Sequence, residues 1–295
     1  MVEGLKKRLE ACGHAFFYTM LFCFGQTGAY LFLWPVIGSY ILGSRRIHHL
    51  IMPYLNRRFP GQGWWQSRVA AFKIVHSFGK VLVDRAWLGL KQSAALTGVF
   101  VGEEKVCEVL NQGRGVVLLT AHVGNWQSAL AHISRLPVKV YSLMQYEQEA
   151  VAKHYFDLGN ETCPFHIIRS DGFLGGMVEC TAALQRGEVV TIMGDRYAGG
   201  PHVTVDFLGS PVRLPVGAYS LAAATGAAVV VLFAAKTGKT GYELRVWDLF
   251  TIHHGDRDEK QAEMGRAAKR FVSCLERYLE QYPYQWYNFF DFWKQ

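Results

Sequence analysis

The sequence predicts an α/β fold, with a central, mostly parallel sheet flanked by helices behind an N-terminal membrane-associated helical segment. Three observations lead there. A long uncharged stretch lies near the start, apolar runs alternate with helical stretches after Gly98, and those runs are continuously apolar, the texture of strands buried on both faces.

Residues 1–45 read as a membrane-anchoring segment. No charged side chain occurs between His14 and Arg45, a stretch long enough to supply the ~20 apolar residues that cross a bilayer. Gly25, Gln26, Gly28, Pro35 and Gly38 interrupt it, so a kinked helix and a re-entrant, monotopic hairpin stand as equal alternatives. A cleaved signal peptide and a buried core helix compete with the anchor. The signal peptide is weakened by the lack of a clean small-x-small site and by Arg45, Arg46, Arg57 and Arg58 just downstream, which instead place the following domain in the cytoplasm.

Residues 46–100 read as a helical connecting region. From Trp64 to about Lys91, Val69, Phe72, Val75 or His76, and Val81 or Leu82 recur at three- and four-residue steps. Asp84 and Arg85 within it read as a structural contact of that helix. Residues 101–295 read as the α/β domain. Its elements are runs at 116–120 and 138–144, a helix at 177–185 before a run at 189–193, and a helix at 216–224 before runs at 228–235 and 243–247. The last helix opens on a capping box, Asp256 with Glu259, and lines Met264, Ala268, Phe271, Cys274 or Leu275, and Tyr278 on one face before Pro283 stops it.

Composition narrows the class. Half the residues are hydrophobic and only 19% are charged, between an ordinary soluble enzyme and a membrane protein. The formal charge of +7 favours an acidic partner, such as an anionic membrane surface or an acidic carrier protein. Nucleic acid is not expected, because no run of five basic residues occurs and the aromatics do not alternate with Lys and Arg. The six cysteines lack C-x-x-C spacing and read as reduced, and His253 with His254 has no cysteine at metal spacing, so neither a metal nor another cofactor is expected.

The chemistry concentrates at "TAHVGNWQSA", residues 120–129. A strand ending at Thr120 puts His122 in the connection at the carboxyl edge of the sheet, where α/β folds build their sites. Gly124 lets the chain turn before a helix starting near Asn125, so that Gln127 points back at the imidazole. Asp195 and Arg196 follow another run and reach the same edge.

"AHVGNWQ" resembles the H-x-G-N-W-E block of the bacterial late acyltransferases of lipid A biosynthesis, within the wider glycerolipid-type superfamily marked by H-x4-D/E. "TIMGDRYAGG" (191–200), "VDFLGSPVRLPVGAYSLAAATGAAVV" (205–230) and "YPYQWYNFFDFWK" (282–294) are similar to three further blocks of that family, in the right order. "DRYAGG" and "QWYNFFDFW" are closer in texture to relatives associated with aryl polyene or other specialised lipids. The resemblance implies transfer of a fatty acyl chain from an acyl carrier protein thioester to a hydroxyl of a lipid or glycolipid, at the cytoplasmic face of the bacterial inner membrane. His122 is then the general base, since a neutral imidazole can take the acceptor proton near pH 7. Backbone N–H groups near Gly124 and Asn125 would stabilise the oxyanion. Arg196 would anchor a phosphate of the lipid or of the carrier's phosphopantetheine, and Arg213 could do the same.

One departure stands out: Gln127 occupies the position of the family's acid. Three explanations follow, in this order: orientation by Gln127 suffices, a second carboxylate takes over with Asp195 leading, or the chain is a non-catalytic lipid-binding relative. No G-x-S-x-G elbow occurs, so direct transfer is expected over an acyl-enzyme. A thioesterase, with water replacing the lipid hydroxyl, is the enzymatic alternative.

Overall fold

A computed structural model describes residues 2–91, 97–125, 133, 136–144, 165–171, 173–253 and 257–294. Three helices come first: α1 (Val2–Gly43), α2 (Arg45–Arg58) and α3 (Trp64–Lys91). α1 bends at Gly25, whose φ of 63° departs from helical geometry. Its stretch Phe17–Gly43 is apolar and long enough to span a bilayer. That stretch is not a core helix of the usual kind. Phe22, Phe24, Leu31, Trp34 and Leu42 all face outward, while Leu21 and Ala29 on the opposite side pack against Val83 and Ala86 of α3. α2 begins at Ser44, whose hydroxyl accepts from the Ile47 N–H as an N-cap.

Among the described residues the remaining strands and α-helices are β1 (Thr97–Val101), α4 (Glu103–Asn111), β2 (Val116–Thr120), β3 (Val140–Met144), β4 (His166–Arg169), α5 (Met177–Gln185), β5 (Val189–Met193), β6 (His202–Phe207), β7 (Ser210–Pro215), α6 (Gly217–Thr225), β8 (Ala228–Lys236), β9 (Gly241–Thr251) and α7 (Arg257–Gln281). Among the described residues, seven strands form one sheet in the order β1-β9-β8-β2-β5-β3-β4. Every pairing in it is parallel except β8 with β9. The fold is therefore the expected α/β architecture, with one antiparallel reversal.

The central strands explain their own sequences. Val117, Leu119, Val190, Val229 and Val231 pack on one side, toward α2, α3, α5, α6 and α7. Val116, Leu118, Val189, Ala228 and Val230 pack on the other, with Val106, Val109 and Leu110 of α4. Burial on both faces is why these runs read as continuously apolar.

Two parts of the fold carry weaker sequence signals. β4 is short, and only Ile168 within it is fully buried. β6 and β7 make a separate antiparallel hairpin that packs against α7. Its turn places Leu208 at φ 49° and Gly209 at φ 74°, and a leucine is an unusual residue for the first of two left-handed positions. The Asp256 cap lies outside the described residues; the face from Met264 to Tyr278 is buried as the periodicity predicts.

Candidate active site

The site grows from the register of two neighbouring strands. Parallel pairing sets Thr120 at the end of β2 beside Met193 at the end of β5. Two residues beyond each partner stand His122 and Asp195, so both leave the carboxyl edge side by side although 73 positions separate them in the chain. The Gly194 N–H continues the pairing by donating to the Thr120 carbonyl at 2.8 Å.

His122 Nδ1 lies 2.8 Å from Asp195 Oδ1, and the His122 backbone N–H donates to Asp195 Oδ2 at 2.9 Å. The Trp286 indole N–H donates to the same Oδ2 at 3.1 Å. Asp195 is wholly buried, whereas the His122 side chain retains one-fifth of its exposure. Burial alone would push the Asp195 carboxyl up, but the His122 ring, the His122 N–H and the Trp286 indole outweigh it and hold the group below its ordinary value. A carboxylate on Nδ1 favours the tautomer that leaves Nε2 unprotonated and able to accept a proton.

The loop carrying His122 is clamped by the C-terminal segment. Val123 bridges Trp286, the Tyr287 N–H donates to the His122 carbonyl at 2.8 Å, and the Gly124 N–H donates to the Gln285 carbonyl at 2.9 Å. This corrects one expectation: the Gly124 N–H is occupied within the protein and is not a donor to a substrate oxyanion. Glycine is required there for two other reasons. Gly124 has φ 51°, and a Cβ would sit 1.9 Å from the Ala234 carbonyl oxygen of β8.

Among the other residues named from sequence, Asn125 is buried, and its side chain interacts with Tyr242. Arg196 is exposed, with its guanidinium 5.5 Å from the Phe290 ring centre. Arg213 lies on the exposed side of the β6–β7 hairpin, opposite Thr204. Gln127 and the helix start expected near it fall outside the described residues. Arg57 and Arg58 fold onto the domain: Arg57 donates to Ser210 Oγ at 3.1 Å and covers Trp293, and Arg58 donates to the Leu279 carbonyl at 3.2 Å. Among the described residues, no group of three His, Cys, Asp or Glu is placed to hold a metal ion.

Sequence reasoning did not name Trp286 as a partner of the carboxylate. The signal available was its place in the fourth block quoted above.

A family model for the bacterial lipid A biosynthesis acyltransferases matches residues 75–295. Over 171 residues the chain is 29% identical to the phosphatidylinositol mannoside acyltransferase of Mycobacterium tuberculosis, a match covering 56% of this chain and 52% of that protein. The same enzyme from a second strain is 28% identical over 168 residues, with the same coverage. The chain thus spans about half the length of the curated relatives it matches. With three-quarters of its length inside the family model, this chain belongs to the bacterial lipid A biosynthesis acyltransferase family.

Proposed function

We propose that this protein is a membrane-associated O-acyltransferase that passes a fatty acyl group from an acyl carrier protein thioester to a hydroxyl of a lipid or glycolipid, with His122 as general base and Asp195 as its carboxylate partner. One observation carries the reading above all others: the 2.8 Å contact between His122 Nδ1 and a buried Asp195. It gives the imidazole the charged partner that Gln127 cannot supply.

In this mechanism His122 Nε2 takes the acceptor proton as the hydroxyl oxygen bonds to the thioester carbonyl carbon. The resulting oxyanion collapses, the carbon–sulfur bond breaks, and the imidazolium returns its proton to the departing thiolate. Asp195 remains ionised throughout, holding the ring and stabilising its charged form. Donors aimed at the oxyanion are required as well, and the Gly124 N–H is not among them.

The outward apolar side chains of α1 support a seat in the membrane, where a lipid acceptor resides. We place the domain at the cytoplasmic face, where acyl carrier protein is found, and the net positive charge suits that acidic carrier and an anionic leaflet. Arg196 and Arg213 are assigned to phosphate groups of donor or acceptor, both being exposed. The names of the relatives add a phosphatidylinositol mannoside to lipid A precursors and specialised glycolipids as acceptors to try.

The test is transfer of labelled acyl chain from a long-chain acyl carrier protein into bacterial lipid extract by the full chain in mixed micelles. Label in a lipid, lost in His122→Ala, supports the proposal. Free fatty acid in its place identifies a thioesterase, and no thiol release across several donors identifies a non-catalytic relative.

A further inference from the structure

Beside the His122 loop, at the same sheet edge, lies a polar centre that the mechanism above does not use. Asp84 of α3 is wholly buried, and its carboxylate gathers donors from three other elements. Gln26 Nε2 of α1 donates to Oδ1 at 2.7 Å, joined there by the Tyr30 hydroxyl of α1. Lys236 Nζ at the end of β8 reaches Oδ2 at 2.6 Å, joined by the Tyr242 hydroxyl at the start of β9. Lys236 Nζ also donates to the Lys239 carbonyl at 2.7 Å, in the turn between those strands. Burial pushes the Lys236 ammonium down, and the Asp84 charge opposes this.

Two routes lead from this centre into the loop of His122. The Tyr242 hydroxyl donates to Asp84, and the Asn125 side chain interacts with the same tyrosine. The Gln285 side chain grips the Lys236 backbone on both sides, accepting its N–H at 2.8 Å and donating to its carbonyl at 2.9 Å, while the Gln285 carbonyl takes the Gly124 N–H. The routes end on adjacent residues, two and three positions after His122.

We propose that Asp84 is a positioning residue for the transfer site: its buried carboxylate, acting through Tyr242 onto Asn125 and through Lys236 and Gln285 onto Gly124, sets the His122 loop and ties it to the bend of α1. The inference rests on the acyltransfer reading for its effect on rate, but its effect on the loop is independent of that reading. A buried ion pair is a poor source of stability, since apolar residues of similar volume often do as well. What such a centre supplies here is geometry, by requiring four elements to meet at one carboxylate beside the site. Misplacing a catalytic group by about 1 Å costs on the order of a hundredfold in rate.

Tyr242→Phe is the cleanest test, because it keeps the ring and the Asp84–Lys236 pair and removes only the hydroxyl link. The full chain in mixed micelles should show kcat reduced by about tenfold or more, KM for acyl carrier protein changed by less than about twofold, and amide exchange at residues 121–125 accelerated by about tenfold relative to β2 and β8. A companion variant, Asp84→Asn with Lys236→Met, avoids leaving the ammonium unpaired and should show the same split. Unchanged exchange at 121–125, unchanged kcat in an active enzyme, or exchange accelerated equally throughout the sheet overturns the proposal. If wild type transfers no acyl chain while Tyr242→Phe still loosens 121–125 selectively, the positioning stands and the acyltransfer reading falls.

Discussion

Asp195 meets both the ring and the backbone of His122: Oδ1 lies 2.8 Å from Nδ1 and Oδ2 accepts the His122 N–H at 2.9 Å. A single buried carboxylate thereby fixes the imidazole and the loop that presents it. Trp286 completes the set from the far end of the chain.

Asp195→Asn should lower kcat by roughly two to four orders of magnitude while the protein remains folded. An amide can offer its N–H to Nδ1 and stabilise the wrong tautomer, a change that costs about 10⁴ in a serine protease triad. Single-turnover transfer of labelled acyl chain measures it. Gln127→Ala provides the contrast, with an expected loss of less than about tenfold; a larger loss than in Asp195→Asn would return the partner role to Gln127.

Asp195 also predicts an acid limb in stability. Its folded carboxyl lies below the ordinary 3.8, so the contribution is present above that value and is lost as pH falls through the lower, folded value. The difference in unfolding free energy between wild type and Asp195→Asn should therefore be largest near neutrality and shrink below about pH 4. Denaturant titrations from neutral to acid pH follow it, and a gap that widens on acidification contradicts the assignment.

Trp286→Phe keeps the aromatic packing against Tyr54, Phe207 and Phe292 but removes the indole donor from the buried carboxylate. The expected cost is about 1–3 kcal/mol, the penalty for removing a partner from a buried charged acceptor. Equilibrium unfolding gives the number, and a neutral result would mean that another donor replaces the indole.

Gly124→Ala should lose activity even where it folds. The new methyl would stand 1.9 Å from the Ala234 carbonyl oxygen, and the residue would also have to hold φ at 51°. The loop must move away from β8, taking His122 from Asp195. Circular dichroism alongside the transfer assay separates this local displacement from global unfolding.

Phe22→Asp with Phe24→Asp tests the seat of α1. Both rings are largely exposed, at 83% and 68%. The pair should weaken partition into anionic vesicles by tenfold or more, since each buried aromatic side chain contributes ~1.5–3 kcal/mol. Flotation measures this, and unchanged flotation would move the membrane contact to another face.

Much of the scaffold could be read locally. The apolar run before Ala121 marked β2 and put His122 at a strand end; the helix-then-run pattern before Gly194 marked α5 and β5 in the same way. The periodic face of α7 was equally legible, because burial on one side leaves a repeat that neighbours along the chain reveal. The β6–β7 turn was not, since Leu208 gives no turn signal of its own.

From the sequence by itself come the α/β class, the apolar N-terminal helix, the block at His122 and the resemblance in order across the chain. The tertiary structure decided which side chains meet that histidine. Strand periodicity says which residues are buried but not which strands are neighbours, so the pairing of β2 with β5 that delivers Asp195 had no local signature. The same holds for Trp286, which reaches the carboxylate through the Val123 bridge, and for Asp84, whose partners Gln26, Tyr30, Lys236 and Tyr242 come together only when α1, α3, β8 and β9 close on one another. Buried carboxylates must find donors wherever the fold supplies them, and those donors come from distant parts of the chain.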